Sequence, residues 1–226
     1  LTNNMDGDSL VTTALMRNTT DPELLSRFTK DDNSLTREEV AANPATPPDS
    51  LISMRDDKDE AVIQQLLSNP KIPKSLLKYF AETGDYAVRN EVAKVEDLEL
   101  DTIKILLSKT NISPQFGWHS YYTLLSLMKQ SNIDEESLMK IADTDNPDIL
   151  REFFDSSVSS TKAVHYKIAR KKDLAIRAVC AVRTPYKDIL EELAKDENLH
   201  IISRIIEYRV DELSTGTLID LLDVVT

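Results

Sequence analysis

"VAANPATPPDSL", Val40 to Leu51, is followed 26 residues on by "LLSNPKIPKSLL", Leu66 to Leu77, and 26 further on by "VAKVEDLELDTI", Val92 to Ile103. One pattern restated at a fixed step points to units that cannot bury their apolar faces alone and stack on neighbours to do so. Carried both ways, the step lands on Ala14, Val40, Leu66 and Val92 and, after one longer interval, on Leu127, Phe153, Val179 and Ile205. Eleven residues into each unit stand Leu25, Leu51, Leu77, Ile103, Leu138, Val164, Leu190 and Gly216; fourteen in stand Phe28, Met54, Phe80, Leu106, Ile141, Lys167, Leu193 and Ile219. These columns are apolar except at Gly216 and Lys167, in a chain only 41% hydrophobic. Composition alone would not produce that.

Within a unit the punctuation is regular. Pro22, Pro47, Pro73 and Pro185 stand just ahead of an apolar pair, and Asp21, Thr46 and Thr184 precede three of them, as expected of an N-cap followed by proline in a first helical turn. In "PKSLLKYFAE" Leu76, Leu77 and Phe80 share one helical face, as do Ile189, Leu190 and Leu193 in "PYKDILEELAK". Short polar turns such as "RDDKDE" and "KDENLH" lead into second helices such as "AVRNEVAK" and "IRAVCAV". The expected fold is all-α: a single α-solenoid domain over residues 1–226, of about eight 26-residue two-helix repeats starting near 14, 40, 66, 92, 127, 153, 179 and 205. One insertion, at about 108–122, interrupts it.

Asn43-Pro44, Asn69-Pro70, Leu76-Leu77, Asp85 and Val88-Arg89 are placed as in the leucine-rich repeat variant family, which the chain resembles over about residues 14 to 103. After the insertion the shape persists but Asn-Pro is lost. The resemblance implies an α-solenoid of HEAT- and armadillo-like appearance with very short, sometimes 3₁₀-like, helices. Some members of that family carry a cysteine-rich iron–sulfur segment, which the single Cys180 cannot supply, so no cofactor is expected.

The bulk properties narrow the function classes. The apolar runs are far shorter than the ~20 residues that span a bilayer, so no membrane partner is expected. No charged segment leads into an apolar run at the start, so no secretory signal is expected. The lone cysteine suits a reducing cytoplasm. His119, His165 and His200 are far apart with no second ligand at i+4, and no nucleophile elbow or phosphate-binding glycine loop is present, so no enzyme is expected. Cys180, in "RAVCAV", reads as a small buried hydrophobe; a reactive thiol would need exposure and cationic neighbours, for which Arg177 and Arg183 are the candidates.

Two surfaces remain as candidates for binding. The insertion holds "PQFGWHSYY", with Phe116, Trp118, His119, Tyr121 and Tyr122 close together and the chain's one tryptophan among them. It is either an aromatic anchor for a partner or a plug folded onto the junction of two half-arrays. The second surface is the run from 162 to 187, where Lys162, Lys167, Arg170, Lys171, Lys172, Arg177, Arg183 and Lys187 meet one acid, Asp173, in a chain of net charge −12. Such a strip either docks an acidic partner or neutralises neighbouring acidic units. The leading expectation is a non-enzymatic scaffold for a protein partner. The alternative is nucleic-acid-related: binding by the basic edge, or mimicry of nucleic acid by the acidic remainder.

Overall fold

The computed structural model describes residues 5–112, 117–155 and 161–225. Every regular element among them is helical. They fall into two compact units, Leu1–Val92 and Ala93–Thr226. The first holds α1 (Met5–Asn18), α2 (Pro22–Arg27), α3 (Ser34–Ala42), α4 (Pro48–Ser53), α5 (Glu60–Ser68), α6 (Lys74–Thr83) and most of α7 (Tyr86–Lys94). The second holds α8 (Leu100–Lys109), α9 (Trp118–Leu127), α10 (Glu135–Ile141), α11 (Pro147–Asp155), α12 (Lys162–Ala169), α13 (Leu174–Arg183), α14 (Lys187–Leu193), α15 (Leu199–Arg209), a 3₁₀ turn (Val210–Glu212) and α16 (Thr215–Val225). No helix among the described residues is long and apolar enough to cross a membrane.

Each unit is layered by alternation. In the first, α1 packs on α3 and α3 on α5; in the second, α9, α11, α13 and α15 form one row and α8, α10, α12 and α14 another. Helices this short are marginal alone, so their stability comes from the apolar stripe each shares with the next member of its row. Leu25, Leu51, Leu77, Ile103, Leu138, Val164 and Leu190 are all buried, as are Val40, Leu66, Val92, Leu127, Phe153 and Ile205.

The register departs from the 26-residue reading at identifiable places. Ala14 is exposed and Met16 takes the core position; Val179 is half-exposed while Ile176 and Cys180 are buried; Ile168, not Lys167, enters the core. In the last helix Gly216 and Ile219 face out and Leu221 is buried. A helix turns about 100° per residue, so an apolar neighbour one position along can fill the same layer.

The helix caps also differ. Asp21 caps α2 as expected, accepting from the Glu23 and Leu24 amides. Thr46 and Thr184 are not the N-cap residues of α4 and α14, although Thr184 Oγ1 accepts from the Tyr186 amide. The residues before α4 and α14 are Pro47 and Tyr186, both extended, so each helix starts later than expected. Thr46 is buried and its hydroxyl donates to the Val40 carbonyl; Thr184 is buried beside His165. The regular caps stand instead at the second helix of each pair: Asn33, Asp59, Asn146, Asp173 and Asn198 each accept a hydrogen bond from an amide in the following first turn. Gly84, ending α6, is required by space. A Cβ there would lie 2.6 Å from the Phe80 carbonyl oxygen and 2.4 Å from Val88 Cγ1.

Polar side chains tie successive turns together. Asn43 Nδ2 donates to the Met16 and Thr19 carbonyls, at 2.7 and 2.9 Å, while its Oδ1 accepts from the Ala45 amide. Asn69 repeats this, donating to the Ala41 and Asn43 carbonyls at 2.7 and 3.1 Å and accepting from Lys71. Met16 and Ala41 lie in the last turns of α1 and α3, where a helix leaves its carbonyls unpaired, and Thr19 and Asn43 follow just after those helices end. In the second unit Gln130 takes over, donating to the Ala93 and Val95 carbonyls and accepting from Leu98, and Arg209 donates to the Val182 and Thr184 carbonyls. The loss of Asn-Pro after the insertion is thus a change of side chain at the rung.

Candidate functional site

α9 brings the aromatic residues of the insertion together. It begins at Trp118, after Gly117, and buries Ser120, Thr123, Leu124 and Leu127 on the side that faces the core. Trp118 is therefore turned outward and is 76% exposed, with Tyr122 49% exposed beside it and Tyr121 half-buried between them. The three rings meet edge to face, Trp118 to Tyr121 at 6.4 Å and Tyr121 to Tyr122 at 5.5 Å between centroids. Burial, then the nearby carboxylates of Glu152 and Asp148 on α11, push the Tyr121 phenol above its ordinary value. His119 is exposed on the same first turn. Phe116, assigned to this cluster from sequence, lies outside the described residues.

The basic run is differently arranged. Six of its eight cations are held by carboxylates: Lys162 by Asp188, Lys167 by Asp143, Arg170 by Glu192, Lys171 by Asp145, Arg177 by Asp196 and Arg183 by Asp155. Lys167, the odd residue in an apolar column, half-buries its stem and donates to the Met139 carbonyl; Lys171 donates to the Asp143 carbonyl. Arg177 is built in most fully. Its Nε and Nη2 grip both oxygens of Asp196, and its Nη1 donates to the Lys171 and Lys172 carbonyls. Arg37 does the same in the first unit with Asp57 and the Asp31 and Asp32 carbonyls. Lys172 and Lys187 are exposed, with no ion pair among the described residues. The geometry is that of charge neutralisation between neighbouring turns.

Of the remaining candidates, His165 and Cys180 lie in the core. His165 is buried between the rings of Phe154 and Tyr186, at 5.0 and 4.9 Å, with Nδ1 3.2 Å from Thr184 Oγ1; burial pushes its pKa down to about 4. Cys180 is fully buried against the His165 carbonyl, and burial pushes its thiol up to about 12, the opposite of what a nucleophile needs. His200 is exposed. No three metal-ligating side chains converge among the described residues. Two open depressions, of about 580 and 370 Å³, lie over the Arg177–Asp196 and Arg37–Asp57 pairs, whose charged groups are spent on each other. Neither the family models nor the curated proteins and solved structures compared with this chain include one that matches it.

Proposed function

We propose that the chain is a non-enzymatic, protein-binding scaffold, a solenoid of two-helix repeats of leucine-rich repeat variant type, which engages its partner through the outer face of α9. The observation that carries this reading is Trp118: an indole three-quarters exposed, on a helix whose other side is core, with Tyr121 and Tyr122 packed against one another next to it. Large rigid aromatics left in water cost solubility and are what binding hot spots are made of. The alternation of helices in two rows supports the repeat reading, since each row adds to the surface that a partner can follow. The ion pairing of six of the eight cations leaves the 162–187 run with little to offer a phosphate backbone, so the nucleic-acid reading is not preferred.

The test is Trp118→Ala. Because the indole is outside the core, the variant should unfold within about ±0.5 kcal/mol of the parent. In the parent, emission should be red-shifted and open to a soluble quencher. Proteins retained from a nuclease-treated extract by the parent should be lost by the variant, with an affinity change of roughly 2 kcal/mol or more. A blue-shifted, protected emission together with a loss of roughly 3–5 kcal/mol in stability would mark a buried plug and end this reading.

A further inference from the structure

Four of the tyrosines share one arrangement. Arg55 lies over Tyr79 at 5.0 Å, Arg89 over Tyr86 at 5.3 Å, Arg170 over Tyr166 at 4.8 Å and Arg204 over Tyr208 at 5.5 Å, each a guanidinium against a ring. In two of these a carboxylate completes the group, since the Tyr79 hydroxyl donates to Asp56 and the Tyr166 hydroxyl to Asp188. The guanidinium suits the place because it is planar and weakly hydrated, so it stacks while keeping its charge.

The α9 cluster has the same parts without the cation. Trp118 and Tyr122 are largely exposed, and no cation of the described residues lies over either ring or over Tyr121. The carboxylates are present: Asp148 and Glu152 project from α11, which packs on α9, and both act on the Tyr121 phenol. Arg151 also acts on the Tyr121 phenol, but it lies over none of the three rings and is tied to Asp148 at 3.0 Å, and Glu152 has no ion pair among the described residues. What Tyr79, Tyr86, Tyr166 and Tyr208 receive from an arginine of this chain, the α9 rings do not receive from the described residues, and a partner can supply it.

We infer that the α9 face binds an arginine-bearing segment of a protein partner, a guanidinium stacking on Trp118 or Tyr122 beside the Glu152 carboxylate. The inference rests on the proposed role of α9 as the partner face and adds the chemistry of what it takes. A single-stranded nucleic acid also stacks on aromatics. Here its phosphates would meet Glu152 and Asp148, and the nearby cation Arg151 is already paired.

Trp118 is the only tryptophan, so its emission reports this face alone. The probe is a short glycine/serine peptide carrying two arginines, titrated into the full chain, with a counterpart in which neutral, planar citrulline replaces both. The arginine peptide should give a saturable change in emission, and the citrulline peptide should bind about tenfold more weakly, the worth of one cation–π contact. Glu152→Gln should weaken the arginine titration by a similar factor, with an unchanged helical circular dichroism spectrum, and Tyr122→Leu should weaken it further. Equal binding of the citrulline peptide, indifference to Glu152→Gln, no saturable response, or tighter binding of a single-stranded oligonucleotide would each overturn the inference. The two readings fail separately. A natural partner lost by Trp118→Ala but unaffected by Glu152→Gln leaves α9 a protein-binding face and removes the arginine.

Discussion

Replacing Asn69 with Asp will lower the stability of the first unit by roughly 3 kcal/mol, although the two side chains have nearly the same shape. Asn69 is 2% exposed and its amide nitrogen is the shared donor to the Ala41 and Asn43 carbonyls. The substitution keeps the oxygen that accepts from Lys71 and turns the donor into a second carboxylate oxygen facing two carbonyls. A buried acceptor left without its donor costs about 1–3 kcal/mol, more where the group put against it is charged. The measurement is the shift in urea midpoint at constant slope. Asn69→Ala should fall short of the Asp variant, since it deletes the bonds without adding a charge. A loss below about 1 kcal/mol for the Asp variant would show that the rung does not hold these turns together.

The second large effect is on acid stability, through His165. Its folded pKa is about 4 against an ordinary value of 6.5. In the window between these the unfolded chain binds a proton that the folded one refuses. Stability therefore rises with pH through this window and is lost as pH falls from 6.5 towards 4, by about 3 kcal/mol in all. Asp134, held down to about 2 by Ser137 and by Lys104, loses its own contribution mainly below this window. Urea titrations at pH 7, 5.5 and 4 on the parent and on His165→Leu separate the contribution. Between pH 7 and 5.5 the parent should lose more stability than the Leu variant; by pH 4 both also begin to lose the contribution of carboxylates held below their ordinary values, among them Asp57, Asp188, Asp196 and Glu212. An equal slope in both would place the acid sensitivity elsewhere.

The apolar columns were legible in the sequence because burial depends on side-chain identity, and Leu51, Leu77 and Ile103 could be placed by counting. The slips at Val179 and Lys167 occurred where an apolar neighbour, Cys180 or Ile168, could fill the same layer. The rungs were harder. Asn43 and Asn69 stood out as residues, but their partners are backbone carbonyls, which have no sequence identity; Gln130 holds the same place, three residues after Leu127, yet is a different side chain, and Arg209 stands one place further on in its unit.

The pairing of the basic run was hidden for a related reason. Its cations are adjacent in sequence while their acids are about one repeat step away, 22 residues for Arg170 to Glu192, 26 for Lys171 to Asp145 and 19 for Arg177 to Asp196. A search for opposite charges at that separation would have paired them. The outward face of Trp118 could not be read from composition, because an aromatic-rich segment fits a plug as well as an anchor. What decided its position was the burial of Ser120, Thr123, Leu124 and Leu127 on the other side of the helix.

The rungs also bear on how such a chain can lengthen or shorten. Asn43 is donor to the turn before it and, through its carbonyl, acceptor from Asn69, 26 residues on. Because the same residue plays both parts, excising residues 43–68 brings Asn69, with Pro70 behind it, into the place of Asn43 and Pro44 against the Met16 and Thr19 carbonyls. Unequal crossing-over between two such codons yields an in-frame product whose new junction is chemically identical to an old one. A cut at half that length would set a helix of the wrong row against those carbonyls and leave them bare, so recombination in this segment is tolerated only in whole steps.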